Sequence, residues 1–422
     1  MSVCTISKLQ GLSSLKSATS KYLFSGLYSC APSHRQIFSE VGNNRNSSDI
    51  VQNRLIKHVC SRSFSSSTST NQNQLKINQL HQSELEDFIA VRDVVFNASI
   101  EHDSQSLTDV SNWHLKVLDY NMKSGKRNRG TAVVKAYKVL SNNATAEGIF
   151  HASILGWCVE MFQAFFIVAD DIMDESVFRR GELCWYKKPE VGMIALNDSF
   201  LLQSGVYKVL RKFFEGSKSY NQIVQEFLQT NEKTVYGQCL DMLSNPPHGK
   251  PQYDLFTMER YNAIVEYKTS YYTFCLPVHL AMHLIGDKTA EEFQITRDLG
   301  LKLGLLFQIQ DDFLDCYGDP EITGKLGTDI AQGKCSWFAV TFLETADDSL
   351  KKEWMENYGT SNEKSISQVM NLYKTLNMQD KYMKFEQELY SDINGLIKDK
   401  LNNTSMQELF SYLLNKMYKR KK

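Results

Sequence analysis

The chain has 422 residues, 42 % of them hydrophobic, 23 % charged and 11 % aromatic, which supplies a large buried core and excludes wholesale disorder. A formal net charge of −1 excludes a general nucleic-acid binder, whose domain would be strongly basic. No charge-free apolar run reaches the roughly 20 residues that a membrane helix needs, so no membrane span is expected.

Residues 1–70 carry eight Lys/Arg against two acids, and the remainder 39 Lys/Arg against 46 acids. The first acid is Glu40, and ten serines lie among the first 39 residues. A basic, serine-rich, acid-poor leader has the composition of an organellar transit peptide. The expectation is therefore a mitochondrial leader over 1–70, with Arg62-Ser63-Phe64 resembling a processing site, and a main domain over 71–422. A cytosolic protein with an ordinary tail is the alternative. The nine cysteines show no Cys-x-x-Cys pair and no metal-ligand spacing, the usage of a reduced compartment.

Beyond the leader, apolar residues recur at three- and four-residue spacing, and only seven prolines interrupt the chain. The spacing predicts helices near 83–98, 131–141, 147–172, 197–214, 219–244, 257–268, 270–285, 289–315, 330–346, 363–375, 380–399 and 405–418. Strand signals are nearly absent. The fold class is all-α, a large single-domain helical bundle, with the very apolar helices 147–172 and 289–315 at its centre.

Two acidic clusters end those two helices: Asp170-Asp171-Ile172-Met173-Asp174 and Asp311-Asp312-Phe313-Leu314-Asp315. Each reads Asp-Asp-x-x-Asp, which puts its first and last carboxylates on one side of a helix. Like charges at that spacing near a helix C-terminus are unfavourable, so a cation should offset them. A hard divalent ion shared with substrate phosphates suits all-carboxylate donors. A solvated helix end is the bland alternative, and the duplication argues against it. Basic residues flank both clusters: Gly125-Lys126-Arg127-Asn128-Arg129, Arg179-Arg180, Lys268, Lys325 and Lys334. They exceed what the carboxylates need, which points to a diphosphate ligand.

These clusters, with GKRNRG at 125–130, VEMFQAFFIVADDIMD at 159–174, RRGELCWY at 179–186, GQCLD at 237–241, YKTSYYTF at 267–274 and FQIQDDFLDCYGDPEITGKLGTDI at 307–330, resemble the eukaryotic short-chain trans-isoprenyl diphosphate synthases. The similarity is nearest to members that form farnesyl diphosphate, and it covers about residues 80–422. It implies an isoprenoid-synthase bundle with a central active-site cavity, assembled as a homodimer. It also implies head-to-tail condensation of isopentenyl diphosphate with dimethylallyl or geranyl diphosphate, giving farnesyl diphosphate and some geranyl diphosphate. About three Mg²⁺ per site, replaceable by Mn²⁺ or Co²⁺, would be held by Asp170, Asp171, Asp174 and Asp311. Arg179, Lys268, Lys325 and Lys334 match the allylic-diphosphate contacts. Gly125, Lys126, Arg129, Arg180 and Gln163 match the isopentenyl-diphosphate site. Thr269 and Gln308 match oxygens that face the developing allylic cation.

Phe165 and Phe166 stand five and four residues before Asp170, one turn below the acids. There their rings would close the cavity floor and limit product length; plain core packing is the alternative. Ser124 and Glu175 are departures from the family pattern that remove no ligand. A terpene synthase of the same fold is the competing function, and the isopentenyl-site residues argue against it.

Overall fold

The computed structural model describes residues 85–102, 104–246, 249–319 and 327–418. Lys325 and the 1–70 leader lie outside the described residues. After a short helical run at 85–90 come α1 (Arg92–Ile100), α2 (Thr108–Met122), α3 (Asn128–Leu140) and α4 (Ala146–Met173). A two-stranded hairpin, β1 (Phe178–Arg179) and β2 (Glu182–Leu183), leads to α5 (Ala195–Phe214) and α6 (Tyr220–Ser244). Next, α7 (Met258–Ile264) runs through a π-wound segment, Val265–Cys275, into α8 (Leu276–Ile285). The chain continues with α9 (Ala290–Tyr317), α10 (Asp329–Gln332), α11 (Trp337–Thr345), α12 (Asp348–Asn357), α13 (Glu363–Thr375), α14 (Met378–Lys400) and α15 (Thr404–Met417).

Every residue of α4 from Ala152 to Phe165 is buried, which makes it the central helix. It is long and apolar enough to cross a membrane by composition, but 83 % of its most apolar window is buried within the protein. A helix apolar on all faces is expected at the core of a large bundle. It packs between α3 and α5, while the π-wound segment packs between α6 and α9. By contrast, α9 buries one stripe, including Leu299, Leu303, Leu306 and Gln310, and leaves its other face partly open.

Four expectations change. Helices 257–268 and 270–285 are one continuous rod, because the π winding absorbs the register shift where a break was predicted. Helix 330–346 is instead two, divided at Gly333, whose φ of +70° ends α10. Two helices, α2 and α12, escape the spacing argument. α2 buries His114 beside Val117, Leu118 and Met122, and a buried histidine hides the stripe. α12 carries little apolar material around its one buried residue, Trp354. Finally, the hairpin has no Asn-Gly signal; its turn is Arg180-Gly181, both at positive φ (+56° and +82°), as a type I′ turn requires.

Two glycines set the depth of the π-wound segment. A Cβ on Gly237 would lie 2.0 Å from the Lys268 backbone nitrogen, and one on Gly304 would lie 1.9 Å from Ser270 Oγ. Only glycine allows α6 and α9 to close on the segment from both sides. Within it, Ser270 Oγ donates to the Val265 carbonyl at 2.9 Å, a five-residue reach that matches the wider winding.

Candidate active site

The first acidic cluster occupies the last turn of α4. Beyond it the Asp174 amide donates to the Asp170 carbonyl at 2.8 Å and the Ser176 amide to the Asp171 carbonyl at 2.9 Å, which folds the chain back into the hairpin. The hairpin returns Arg179 to the cluster: Nε donates to Asp171 Oδ1 at 2.8 Å and Nη2 reaches Asp170 Oδ2 at 3.4 Å. Arg180, next in sequence, points elsewhere; its Nη1 donates to the Ser124 carbonyl at 2.6 Å and its guanidinium lies against Gly125. The hairpin is anchored by Tyr120 Oη donating to the Leu183 carbonyl at 2.7 Å. The buried Asp198 carboxylate adds to this, accepting the indole N–H groups of Trp113 and Trp185 at 2.7 and 2.8 Å.

Lysines from two distant segments close the cluster. Lys268 Nζ, in the π-wound segment, donates to Asp241 Oδ2 at 2.5 Å and lies 3.3 Å from Asp170 Oδ1. Lys334 Nζ lies 2.8 Å from both oxygens of Asp174 and 3.5 Å from Asp241 Oδ2. Gln238 Nε2 donates to Asp170 Oδ1 at 3.1 Å. Among the described residues four carboxylates therefore share three cations, so here the protein's own Arg and Lys supply the offset without a surplus of positive charge. Burial opposes ionisation of Asp170 and Asp241, but the neighbouring cations outweigh it and hold both carboxyls below the usual carboxylate range. Burial, joined by the Asp170 charge, pushes Asp174 up; burial also pushes Asp171 up despite Arg179.

Asp241 and Gln238 were absent from the sequence-predicted site. Their signal was the GQCLD run itself, where positions three apart share a helix face. Asp241→Ala should lower stability by about 2–3 kcal/mol, since two charge-assisted hydrogen bonds vanish while each lysine keeps a second carboxylate. Urea unfolding of parent and variant measures this. The native Asp241 carboxyl is held low, so its contribution is full above the unfolded value of about 3.9 and fades as the pH falls through the depressed native value. Equal stabilities at neutral pH would show that Asp241 is dispensable to the cluster.

The second cluster is divided by use. Asp312 is buried and accepts from Tyr261 Oη (2.9 Å), the Trp337 amide (2.8 Å) and Gln308 Nε2 (2.9 Å). Burial pushes its carboxyl up to about 7 against the pull of those donors. Asp315 accepts from the Thr328 and Asp329 amides at 3.1 and 2.8 Å, serving the start of α10. Asp311 is partly exposed. Thr269 Oγ1 donates to Gln308 Oε1 at 3.1 Å, so these two sequence-predicted residues meet.

A second basic group surrounds the start of α3. Arg127, at a φ of +54°, approaches Glu160 of α4 at 3.7 Å and stacks 5.2 Å over Trp157. The Gly130 amide donates to the same Glu160 at 2.8 Å. Arg129 donates to Thr273 Oγ1 at 2.9 and 3.1 Å and to Tyr272 Oη at 3.2 Å, with its guanidinium 4.7 Å over the Tyr272 ring. Burial, moderated by Glu160, lowers the Arg180 and Arg127 values, and the guanidinium groups of Arg127, Arg129 and Arg179 disfavour charge on Arg180. Here positive charge does exceed negative. Gln163 is buried on α4, and Lys126 precedes Arg127 in the loop. Phe165 is buried and Phe166 partly so; their rings lie 4.4 Å apart, and Phe166 continues to Tyr272 at 6.2 Å.

A family model described as polyprenyl synthetase matches residues 111–376. The farnesyl pyrophosphate synthase of Gallus gallus is 45 % identical over 309 residues, 73 % of this chain and 84 % of that one. That of Saccharomyces cerevisiae is 39 % identical over 319 residues, 74 % of this chain and 90 % of that one. Among solved structures, T. brucei farnesyl diphosphate synthase complexed with risedronate aligns with a TM-score of 0.74 at 30 % identity, covering 80 % of this chain and 100 % of that one. The fold and site thus define an isoprenoid diphosphate enzyme. The chain belongs to the polyprenyl synthetase family, as a short-chain isoprenyl diphosphate synthase.

Proposed function

We propose that the chain condenses isopentenyl diphosphate with dimethylallyl and then geranyl diphosphate, making farnesyl diphosphate and releasing some geranyl diphosphate. One observation carries this reading. Lys268 and Thr269 are neighbours in the π-wound segment, yet Lys268 reaches Asp170 of the first cluster while Thr269 reaches Gln308, three residues before Asp311. An anionic leaving group would lie toward Lys268 and the carbon it leaves toward Thr269.

Arg179, Lys268 and Lys334, with Lys325, would bind the allylic diphosphate. Lys126, Arg129, Arg180 and Gln163, beside Gly125, would hold isopentenyl diphosphate at the second basic group without a metal. The allylic C–O bond breaks and its electron pair leaves with the diphosphate. The isopentenyl double bond then attacks the allylic cation, facing the Thr269 and Gln308 oxygens. The proton lost from the new C–C adduct goes to the released diphosphate.

Among the described residues no three His, Cys, Asp or Glu side chains converge to hold an ion by themselves. That donor set fits Mg²⁺, which takes one or two carboxylates and completes its shell with water and substrate phosphate. Asp170, Asp171, Asp174 and Asp311 would hold it, about three ions in all, with Mn²⁺ or Co²⁺ as substitutes. When bound, the metal neutralises charge building on the leaving diphosphate.

A terpene synthase has no use for a second diphosphate pocket, so the separate group at Arg129 and Arg180 argues against that reading. The test is the purified chain with Mg²⁺, isopentenyl diphosphate and either allylic diphosphate, products resolved by chain length. Longer diphosphates support the proposal; hydrocarbons would replace it with the lyase.

α6 exposes Leu228, Val235, Tyr236 and Leu243, and the start of α5 exposes Leu196 and Phe200, with Ile194 just before it. Such apolar surface suits a second copy of the chain. Sedimentation equilibrium should give twice the chain mass, and a monomer at micromolar concentration would refute the dimer. The basic leader supports mitochondrial targeting: residues 1–70 fused to a fluorescent protein should carry it into mitochondria, and diffuse cytosolic signal would leave the cytosolic alternative.

A further inference from the structure

Thr269, Gln308 and Asp312 form a hydrogen-bonded line with a direction. Asp312 is the acceptor in three hydrogen bonds, from Tyr261, the Trp337 amide and Gln308, and three donors aimed at one carboxyl favour its ionised form, which only accepts. The Trp337 amide and Tyr261 both converge on Oδ2, leaving Oδ1 to Gln308. Because Gln308 must donate there, its Nε2 is turned to Asp312 and its Oε1 to Thr269. Thr269 in turn gives its hydroxyl proton to that Oε1. What the pair then offers the cleft is oxygen lone pairs. The opposite amide orientation would offer N–H groups, which repel a developing cation.

We infer that Asp312 is a positioning residue that fixes the sense of the Gln308 amide, so that the Thr269 and Gln308 oxygens meet the allylic cation. The inference rests on the proposed condensation and deepens it. When the C–O bond breaks heterolytically, positive charge spreads over the allylic carbons, and preorganised acceptor dipoles stabilise it without reorienting. Asp312 touches no substrate; it acts through Gln308. The plainer role, a buried cap on the first turn of α11 through the Trp337 amide, would affect stability alone.

Asp312→Asn separates the two. Its amide keeps an oxygen for Trp337 and Tyr261 but presents N–H to Gln308. Two donors then face each other, and Gln308 turns its carbonyl inward and its N–H₂ toward Thr269 and the cleft. kcat should fall by about 10²-fold or more, the scale for one misdirected dipole at a reacting centre. Binding of the non-ionising S-thiolo analogue of dimethylallyl diphosphate should stay within about threefold of the parent, because the ground state carries no allylic charge. Asp312→Asn combined with Gln308→Glu reverses the line: the carboxylate at 308 accepts from the new amide with one oxygen and offers the other to the cleft. That double variant conserves the buried charge, and it should regain at least about tenfold of the lost kcat, a coupling that independent sites would not show.

A kcat for Asp312→Asn within about threefold of the parent overturns the inference, as does a loss that the double variant fails to recover. Should Asp312→Asn not fold, the double variant decides: activity no better than that of Gln308→Leu overturns it, and clearly higher activity supports it. Absence of turnover in the parent chain instead strikes the proposed function.

Discussion

Asp170→Ala and Asp311→Ala should each lower turnover by on the order of 10³-fold or more, since on the proposed reading each removes a metal-holding carboxylate beside the leaving diphosphate. Metal-assisted charge neutralisation is worth several kcal/mol, and each 1.36 kcal/mol is about tenfold in rate. Folding should survive in both variants. Without Asp170, Lys268 keeps Asp241 at 2.5 Å and Arg179 keeps Asp171 at 2.8 Å, so neither cation is left alone. Asp311 is partly exposed at the open face of α9, where truncation costs little core packing. Steady-state kinetics beside thermal melts give the answer. Turnover within tenfold of the parent in either variant, with its fold intact, would sink a clamp that works from both sides.

Phe165→Ala combined with Phe166→Ala should shift the product from farnesyl diphosphate to a C20 or longer diphosphate. The two rings lie one turn below Asp170, in an aromatic line that runs from Phe162 through Phe165 and Phe166 to Tyr272. Phe162 also packs against Phe227 of α6 at 5.5 Å, so this aromatic line is continuous with the core. Phe165 is a buried core residue, and its truncation should cost about 3–5 kcal/mol. Phe166 is only partly buried and should cost less, with the longer product refilling part of the space. Chain-length separation of the products, with urea unfolding alongside, measures both effects. An unchanged C15 product from a folded, active double variant would place the floor elsewhere. Its failure to fold would instead favour core packing as the role of these rings.

Much of this protein was legible in its sequence. The apolar run of α4 marked the central helix because burial on every face requires it. The two Asp-Asp-x-x-Asp clusters and the Lys268-Thr269 pair were visible as residue types at helical spacing. The long helices fell close to their predicted ranges for the same reason: a stripe at three and four residues is a local property.

Tertiary structure decided what each charged group does. The motif spacing treats six aspartates alike, yet Asp312 and Asp315 are engaged by backbone and side-chain donors, Asp171 is buried under Arg179, and Asp311 stays partly exposed. Adjacent Arg179 and Arg180 divide between two sites because an I′ turn at positive φ separates their directions. Asp241 stands between Lys268 and Lys334, 27 and 93 residues away, and Lys334 meets Asp174 across 160 residues. Spacing along one helix settles which residues share a face. Which carboxylate a cation from another helix then reaches depends on how closely the helices pack, and here that closeness comes from Gly237 and Gly304 around a π-wound turn.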